Sequence, residues 1–394
     1  MYIEQKQLEN LRVFAKPGKV VVVYGARRTG KTTLLKEFLK TEETPYLMVS
    51  GEDIAVQGYL VSQSVEKLTA FIGRNRLLVV DEAQKVPQIG LNLKLIVDHI
   101  PGIRIIATGS SSFDLARSVG EPLTGRKTTL KLFPLAQMEI GRTEQRHQTD
   151  ANLESRLIYG SYPEVVLTPD NRAREQYLKE IVASYLYKDV LELDGIRHSA
   201  KISRLLQLIA FQIGKEVSYT ELGSSLGMSK NTIDRYLDLL EKAFVLHRLS
   251  GFSRNLRSEI TKNYRYYFLD NGIRNTLINN FNPLELRNDA GELWENYLVM
   301  ERLKRQEYLG ETANNYFWRT YRQQELDFVE ERQGRLFGYE MKWGKARGKP
   351  PTEWLAAYPG AAFVLVNKEN YLEFVGAELQ GVIVPPKLPQ GQPR

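Results

Sequence analysis

The chain of 394 residues contains no cysteine, which excludes disulfides, a thiolate nucleophile and any zinc–cysteine centre. Only four histidines are present. His99, His147, His198 and His247 are far apart, so no pair has metal-ligand spacing. No apolar run approaches the length needed to span a bilayer, and the start Met1-Tyr2-Ile3-Glu4-Gln5-Lys6 lacks a secretory apolar region. A cytoplasmic protein without membrane contact is the simplest expectation. Acidic residues are in deficit, with 47 Asp and Glu against 54 Lys and Arg and a net charge of +7. That balance allows a polyanionic partner but does not identify one. The length exceeds one ordinary core, and a hydrophobic content of 42% with 26% charged residues is that of a globular protein with several domains.

What is present begins with a glycine-bounded loop. Gly25-Ala26-Arg27-Arg28-Thr29-Gly30-Lys31-Thr32 follows the β-branched run Val20-Val21-Val22-Val23-Tyr24 and precedes the helical pattern Thr33–Leu39. Strand, loop and helix are the setting that the G-x-x-x-x-G-K-[ST] pattern requires. The glycines let backbone N–H groups turn around phosphate oxygens, and the helix N-terminus adds partial positive charge. Gly25, Arg28, Thr29, Gly30, Lys31, Thr32 and Thr33 form the expected nucleotide-binding set. Lys31 reaches the β- and γ-phosphates, while the Thr32 hydroxyl ligates Mg²⁺.

A second buried strand, Leu77-Leu78-Val79-Val80, ends in Asp81-Glu82. Asp81 is expected to hold Mg²⁺ beside Thr32, and Glu82 to orient and polarise the attacking water. A third strand, Ile103–Ala107, leads into Thr108-Gly109-Ser110-Ser111-Ser112. Ligands gather at the carboxyl ends of strands in doubly wound sheets, so Thr108 or Ser110 can bond the γ-phosphate or the water. Ser110 is the preferred catalytic candidate, with hydroxyl capping of the loop as the competing explanation.

These motifs resemble the AAA+ branch of P-loop ATPases. They are similar in particular to bacterial and archaeal ATPases that carry a C-terminal domain of unknown function. Asp81-Glu82-Ala83-Gln84-Lys85-Val86-Pro87, Leu123-Thr124-Gly125-Arg126 and Gly160-Ser161-Tyr162-Pro163-Glu164 extend the likeness over nearly the whole chain. The resemblance implies ATP and Mg²⁺ as cofactors and a homo-oligomeric ring, a hexamer among its sizes. It also implies an arginine supplied by a neighbouring subunit, for which Arg126 is the first candidate and Arg117 the second.

The segment 146–196, rich in helical pattern and tyrosine, reads as a helical lid connecting onto the ATPase core at 1–145. Residues 197–282 carry a winged-helix signal. Ser218-Tyr219-Thr220-Glu221 has the form of a capping box, Gly227 ends the short helix, and Ser229 caps the next. Ile233, Leu237 and Leu240 form the buried stripe of that second helix. Lys230, Asn231, Asp234 and Arg235 are left on its outer face, where recognition helices meet DNA. The strands Phe244–Ser250 and Lys262–Leu269 then flank a wing carrying Arg254, Arg257 and Lys262. From Arg197 to Arg265 there are twelve Lys and Arg against six Asp and Glu, which supports DNA as partner. Asp234 weighs against a purely phosphate-binding face.

In residues 283–384, Glu295 lies on an amphipathic helix, Asp327 on a strand, and Glu340 and Lys342 on a second strand where alternation puts them on one side. This arrangement looks like the PD-(D/E)XK nuclease core, in which carboxylates bind Mg²⁺ and lysine stabilises phosphate charge. No Pro-Asp pair precedes the strand, since Asp327 follows Leu326, and charges paired with one another in a non-cleaving fold are the alternative. The end at 385–394 is Pro- and Gln-rich and reads as a disordered tail. The expected fold is therefore α/β: an AAA+-like P-loop core, helical lid, winged helix and nuclease-like α/β domain. The leading functional expectation is a Mg-dependent ATP hydrolase acting as an oligomeric DNA motor for translocation, unwinding or branch migration. An ATP-gated nuclease and a nucleotide-controlled switch that binds a protein partner are the alternatives.

Overall fold

A computed structural model describes residues 2–110, 123, 125–186, 199–253, 264–344 and 348–376. Arg117, Arg254, Arg257, Lys262 and the tail at 385–394 lie outside the described residues.

Two sheets organise the chain. The first contains β1 (Lys19–Tyr24), β2 (Tyr46–Ser50), β3 (Leu77–Asp81), β4 (Arg104–Gly109) and β5 (Lys127–Lys131) in the order β2-β3-β4-β1-β5. Every pairing in it is parallel. Central strands of a parallel sheet are covered on both faces, which is why β1 and β3 read as unbroken apolar runs rather than alternating ones. Val20 to Val23 and Leu77 to Val80 are all fully buried, and each such side chain contributes about 1.5–3 kcal/mol of apolar burial.

The second sheet contains β6 (Glu216–Val217), β7 (Leu246–Gly251), β8 (Tyr264–Phe268), β9 (Asn314–Arg319), β10 (Glu325–Arg332), β11 (Arg335–Met341) and β12 (Ala362–Val366). Its order is β12-β11-β10-β9-β7-β8-β6. The parallel pairing of β7 with β9, Ser250 with Tyr316 and Gly251 with Phe317, carries the sheet across the boundary expected at 282/283. The regions expected to be a winged helix and a nuclease-like domain thus share one continuous sheet.

Helices Arg146–Tyr159, Pro163–Leu167 and Asn171–Ile181 come between the strands of the two sheets in chain order. The 20-residue helix Ala290–Leu309 ties the halves together. Its Glu301 accepts from the Gln137 backbone N–H at 2.6 Å, and its Lys304 donates to the Leu135 carbonyl at 3.1 Å. No helix among the described residues is long and apolar enough to cross a membrane.

Candidate nucleotide site

The loop Gly25–Gly30 joins the carboxyl end of β1 to the helix Lys31–Leu39. Gly25 is required by space: a Cβ there would stand 2.2 Å from the Leu132 carbonyl oxygen. Gly30, at φ 98°, is the N-cap of the helix and offers no side chain to its first N–H groups. A helix start without a side-chain cap is the usual arrangement where an anion binds a helix N-terminus. Thr29 is buried, and its hydroxyl bonds the Ala26 carbonyl at 2.9 Å, bracing the loop from within. The Lys31 ammonium is also buried and donates to the Gly25 and Ala26 carbonyls at 3.0 and 2.9 Å.

β3 brings its carboxylates to the same end of the sheet. The Thr32 hydroxyl donates to Asp81 Oδ2 at 2.6 Å, and Thr108 at the end of β4 donates to Asp81 Oδ1. Thr108 Oγ1 also accepts from the Glu82 backbone N–H at 3.1 Å. Glu82 adopts φ 51°, a left-handed conformation costly for a non-glycine residue. Gln84 donates from Nε2 to Glu82 Oε2 at 2.5 Å, and that nitrogen stands 3.1 Å from Ser110 Oγ. A buried ammonium, a hydroxyl and a carboxylate gathered at the N-terminus of a helix fit a phosphate chain with a hard, oxygen-seeking cation.

The structure thus brings Lys31, Thr32, Asp81, Glu82 and Ser110 to one end of the sheet, with Gly25, Thr29 and Gly30 shaping the loop. Thr33 is exposed one residue further along the helix. Arg28, exposed at φ 65°, lies beside the helix Asn171–Ile181, its guanidinium carbon 5.9 Å from the Tyr177 ring centroid. Arg126 is not with this group. Its carbonyl accepts from the Val20 N–H, at the opposite end of β1, and its side chain pairs with Asp98. Five residues of strand put it about 17 Å from its own phosphate loop.

Two contributors were absent from the sequence expectations. Gln84 sits inside a quoted motif, and only its contacts reveal its position. Gln5 donates to the Thr29 carbonyl at 2.8 Å from a segment that no local pattern connects to the loop. Its neighbour Lys6 donates its backbone N–H to Glu139 at 2.6 Å. Burial pushes the Glu139 carboxyl up to about 7, against the opposing pull of that bond and one from the Ala136 N–H.

The expected nuclease residues are held by ion pairs. Lys342 Nζ is 2.9 Å from Glu340 Oε1. Asp327 Oδ2 accepts from the Met341 N–H at 2.7 Å, and Glu295 Oε1 accepts from the Tyr267 hydroxyl at 2.7 Å. Burial raises the proton affinity of both acids, with Glu295 reaching about 8, aided by Asp327 and opposed by Arg265. Helix Lys230–Lys242, packed on β7, presents Lys230, Asn231 and Arg235 exposed, with Asp234 exposed among them.

Residues 17–141 match the family model described as AAA domain, so the phosphate loop and the β3 carboxylates lie in an AAA-type ATPase domain. Residues 150–284 and 290–383 match two models each described as a domain of unknown function. An uncharacterised protein of Mycobacterium tuberculosis is 28% identical over 350 residues, covering 87% of this chain and 74% of that protein. An uncharacterised protein of Methanocaldococcus jannaschii is 25% identical over 332 residues, covering 79% and 72%. Among solved structures, the Walker-type ATPase of Pyrococcus abyssi is similar with a TM-score of 0.45 and 16% identity, covering 70% of this chain and 96% of that one. The Thermotoga maritima RuvB Holliday junction branch migration motor gives a TM-score of 0.34 and 17% identity, covering 62% and 90%.

Proposed function

We propose that the chain hydrolyses MgATP as a homo-oligomeric motor acting on DNA. The observation that carries the hydrolytic part is the 2.6 Å bond from Thr32 to Asp81, which joins the phosphate loop to the β3 carboxylate. In this reading Thr32 and Asp81 hold Mg²⁺, directly or through water. Mg²⁺ supplies charge neutralisation along the phosphate chain. Lys31 exchanges its carbonyl partners for phosphate oxygens, while the N–H groups at the start of Lys31–Leu39 receive the remaining negative charge. Glu82 orients the attacking water and accepts its proton, and Ser110 bonds the reacting phosphoryl group. Arg126 serves the site of an adjacent subunit, because its own site lies at the other end of β1.

The DNA part rests on the exposed Lys230, Asn231 and Arg235 at the start of a helix packed on β7, read as part of a winged helix. The excess of basic residues in this region supports the same reading. Phosphate release should be measured with no DNA and with saturating duplex, single-stranded and junction DNA. Stimulation lost in Lys31→Ala is the expected result. Turnover indifferent to all three DNAs removes the motor and leaves an ATPase. Absence of turnover under every condition removes both.

A further inference from the structure

Outside the phosphate site, a cluster of charge, largely buried apart from Glu325, lies where β8, β10 and the helix Ala290–Leu309 meet. Arg265 of β8 is at its centre, 4% exposed. Its Nη2 stands 2.9 Å from Glu325 Oε2, and its Nη1 is 3.6 Å from Glu295 Oε1 and 4.0 Å from Asp327 Oδ1. The guanidinium carbon lies 4.6 Å from the centroid of the Phe317 ring, a cation–π contact that fixes it from one side.

A Mg²⁺ or Ca²⁺ ion gathers six or more oxygens at about 2.0–2.6 Å around one point. In this cluster the point facing the three carboxylates is taken by the Arg265 nitrogens. The other oxygen of Asp327 accepts from the Met341 N–H, and the Glu295 oxygen that faces Arg265 also accepts from the Tyr267 hydroxyl. Glu340 is turned to Lys342 rather than to Asp327. Among the described residues no group of three or more His, Asp or Glu is disposed to hold a metal ion.

We propose that Arg265 is the resident cation of this cluster, standing where a nuclease metal would have to sit. The C-terminal part therefore engages its partner without cutting phosphodiester bonds by metal chemistry. Arginine keeps its charge at any accessible pH, so this cation neither exchanges nor dissociates as a metal does. Each of its three acidic partners belongs to a different part of the fold from β8. The guanidinium thereby locks β8 to β10 and to the helix that reaches the ATPase core.

The test is Mn²⁺ titration of the full-length, nucleotide-free protein, read by the loss of the free-ion paramagnetic resonance signal. The wild type is expected to show no Mn²⁺ site that depends on Asp327. Arg265→Ala leaves the acids without their cation and is expected to gain a Mn²⁺ site that the wild type lacks, removed again by Asp327→Asn. Asp81→Asn, assayed in parallel, identifies any ion held at the phosphate loop. A wild-type Mn²⁺ site lost in Asp327→Asn but kept in Asp81→Asn overturns the proposal, as does Mn²⁺-dependent cleavage of DNA abolished by Asp327→Asn. Both overturning results are read without Arg265→Ala, so they stand if that variant fails to fold. No nucleotide is present, so neither outcome depends on the ATPase reading.

Discussion

Gln84 donates its side-chain amide to the Glu82 carboxylate at 2.5 Å. The same nitrogen lies 3.1 Å from Ser110 Oγ, so one residue connects the β3 carboxylate expected to polarise water with the hydroxyl at the end of β4. Glu82 is already held at φ 51°, which leaves its side chain dependent on local partners for a fixed direction. Gln84→Ala is expected to lower kcat for ATP hydrolysis by about tenfold, with KM nearly unchanged, because it disorders groups that act only at the transition state. Steady-state kinetics decide this. A raised KM at constant kcat would instead make Gln84 a part of ground-state nucleotide binding.

Arg126 lies at the beginning of β5, beside Val20, whereas the phosphate loop begins after Tyr24. At that end of the sheet it is not part of its own site, and the proposed role is in the site of a neighbour. In well-studied cases such an arginine contributes about 10³–10⁵ in rate. Arg126→Ala is expected to abolish measurable ATPase activity while ATP binding persists. Mixing it with Lys31→Ala should recover part of the activity, since a mixed interface unites an intact phosphate loop with an intact arginine. If no mixture of the two inactive variants exceeds their separate baselines, Arg126 does not act in trans.

Much of the candidate nucleotide site at the carboxyl end of the first sheet was legible because its signals are local. The strand Val20–Tyr24, the loop glycines and the helix after them are contiguous, and the strand bearing Asp81 is apolar on both faces. The capping residues Ser218 and Ser229 also read correctly, each accepting from the N3 backbone N–H of its helix. The second sheet was not legible as a whole. β9 opens with Asn314-Asn315, poor strand formers, and owes its conformation to pairing with β10 and β7. That long-range pairing merges two regions that composition separates. Gln5 and Arg265 were missed for a related reason: their partners lie 24 residues away for Gln5 and 60 for Arg265 with Glu325, and no periodicity reports such contacts.

Gly25 gives a steric prediction. A methyl group there would meet the Leu132 carbonyl at 2.2 Å, and that carbonyl belongs to backbone already fixed by the bond from the Leu132 N–H to Tyr24. Gly25→Ala must displace either the loop or the segment after β5, at a cost of about 1–3 kcal/mol typical of overpacking. ATP affinity measured by calorimetry should fall by at least tenfold, with a lower melting temperature. Gly58, where a Cβ meets nothing within 4 Å, supplies the control, and its alanine variant should bind ATP as the wild type does.

Glu42 and Arg104 provide a prediction in pH. Arg104 Nη1 and Nη2 bond the two Glu42 oxygens at 3.0 and 2.8 Å, closing the turn after helix Lys31–Leu39 onto the start of β4. Hydrogen bonding from Arg104 pulls the Glu42 carboxyl down to about 2 from its ordinary 4.5. A carboxyl that binds its proton less readily when folded stabilises the fold above its unfolded pKa, and that stabilisation disappears as pH falls through the folded value. The pair should contribute about 1 kcal/mol at neutral pH, given its partial exposure. Glu42→Gln keeps the shape and removes the charge. Urea midpoints of wild type and variant should therefore differ at pH 7, converge between pH 4.5 and 2, and coincide below that window. A difference that persists unchanged to the acid end would show that packing around the side chain, and not its ionised form, holds this turn.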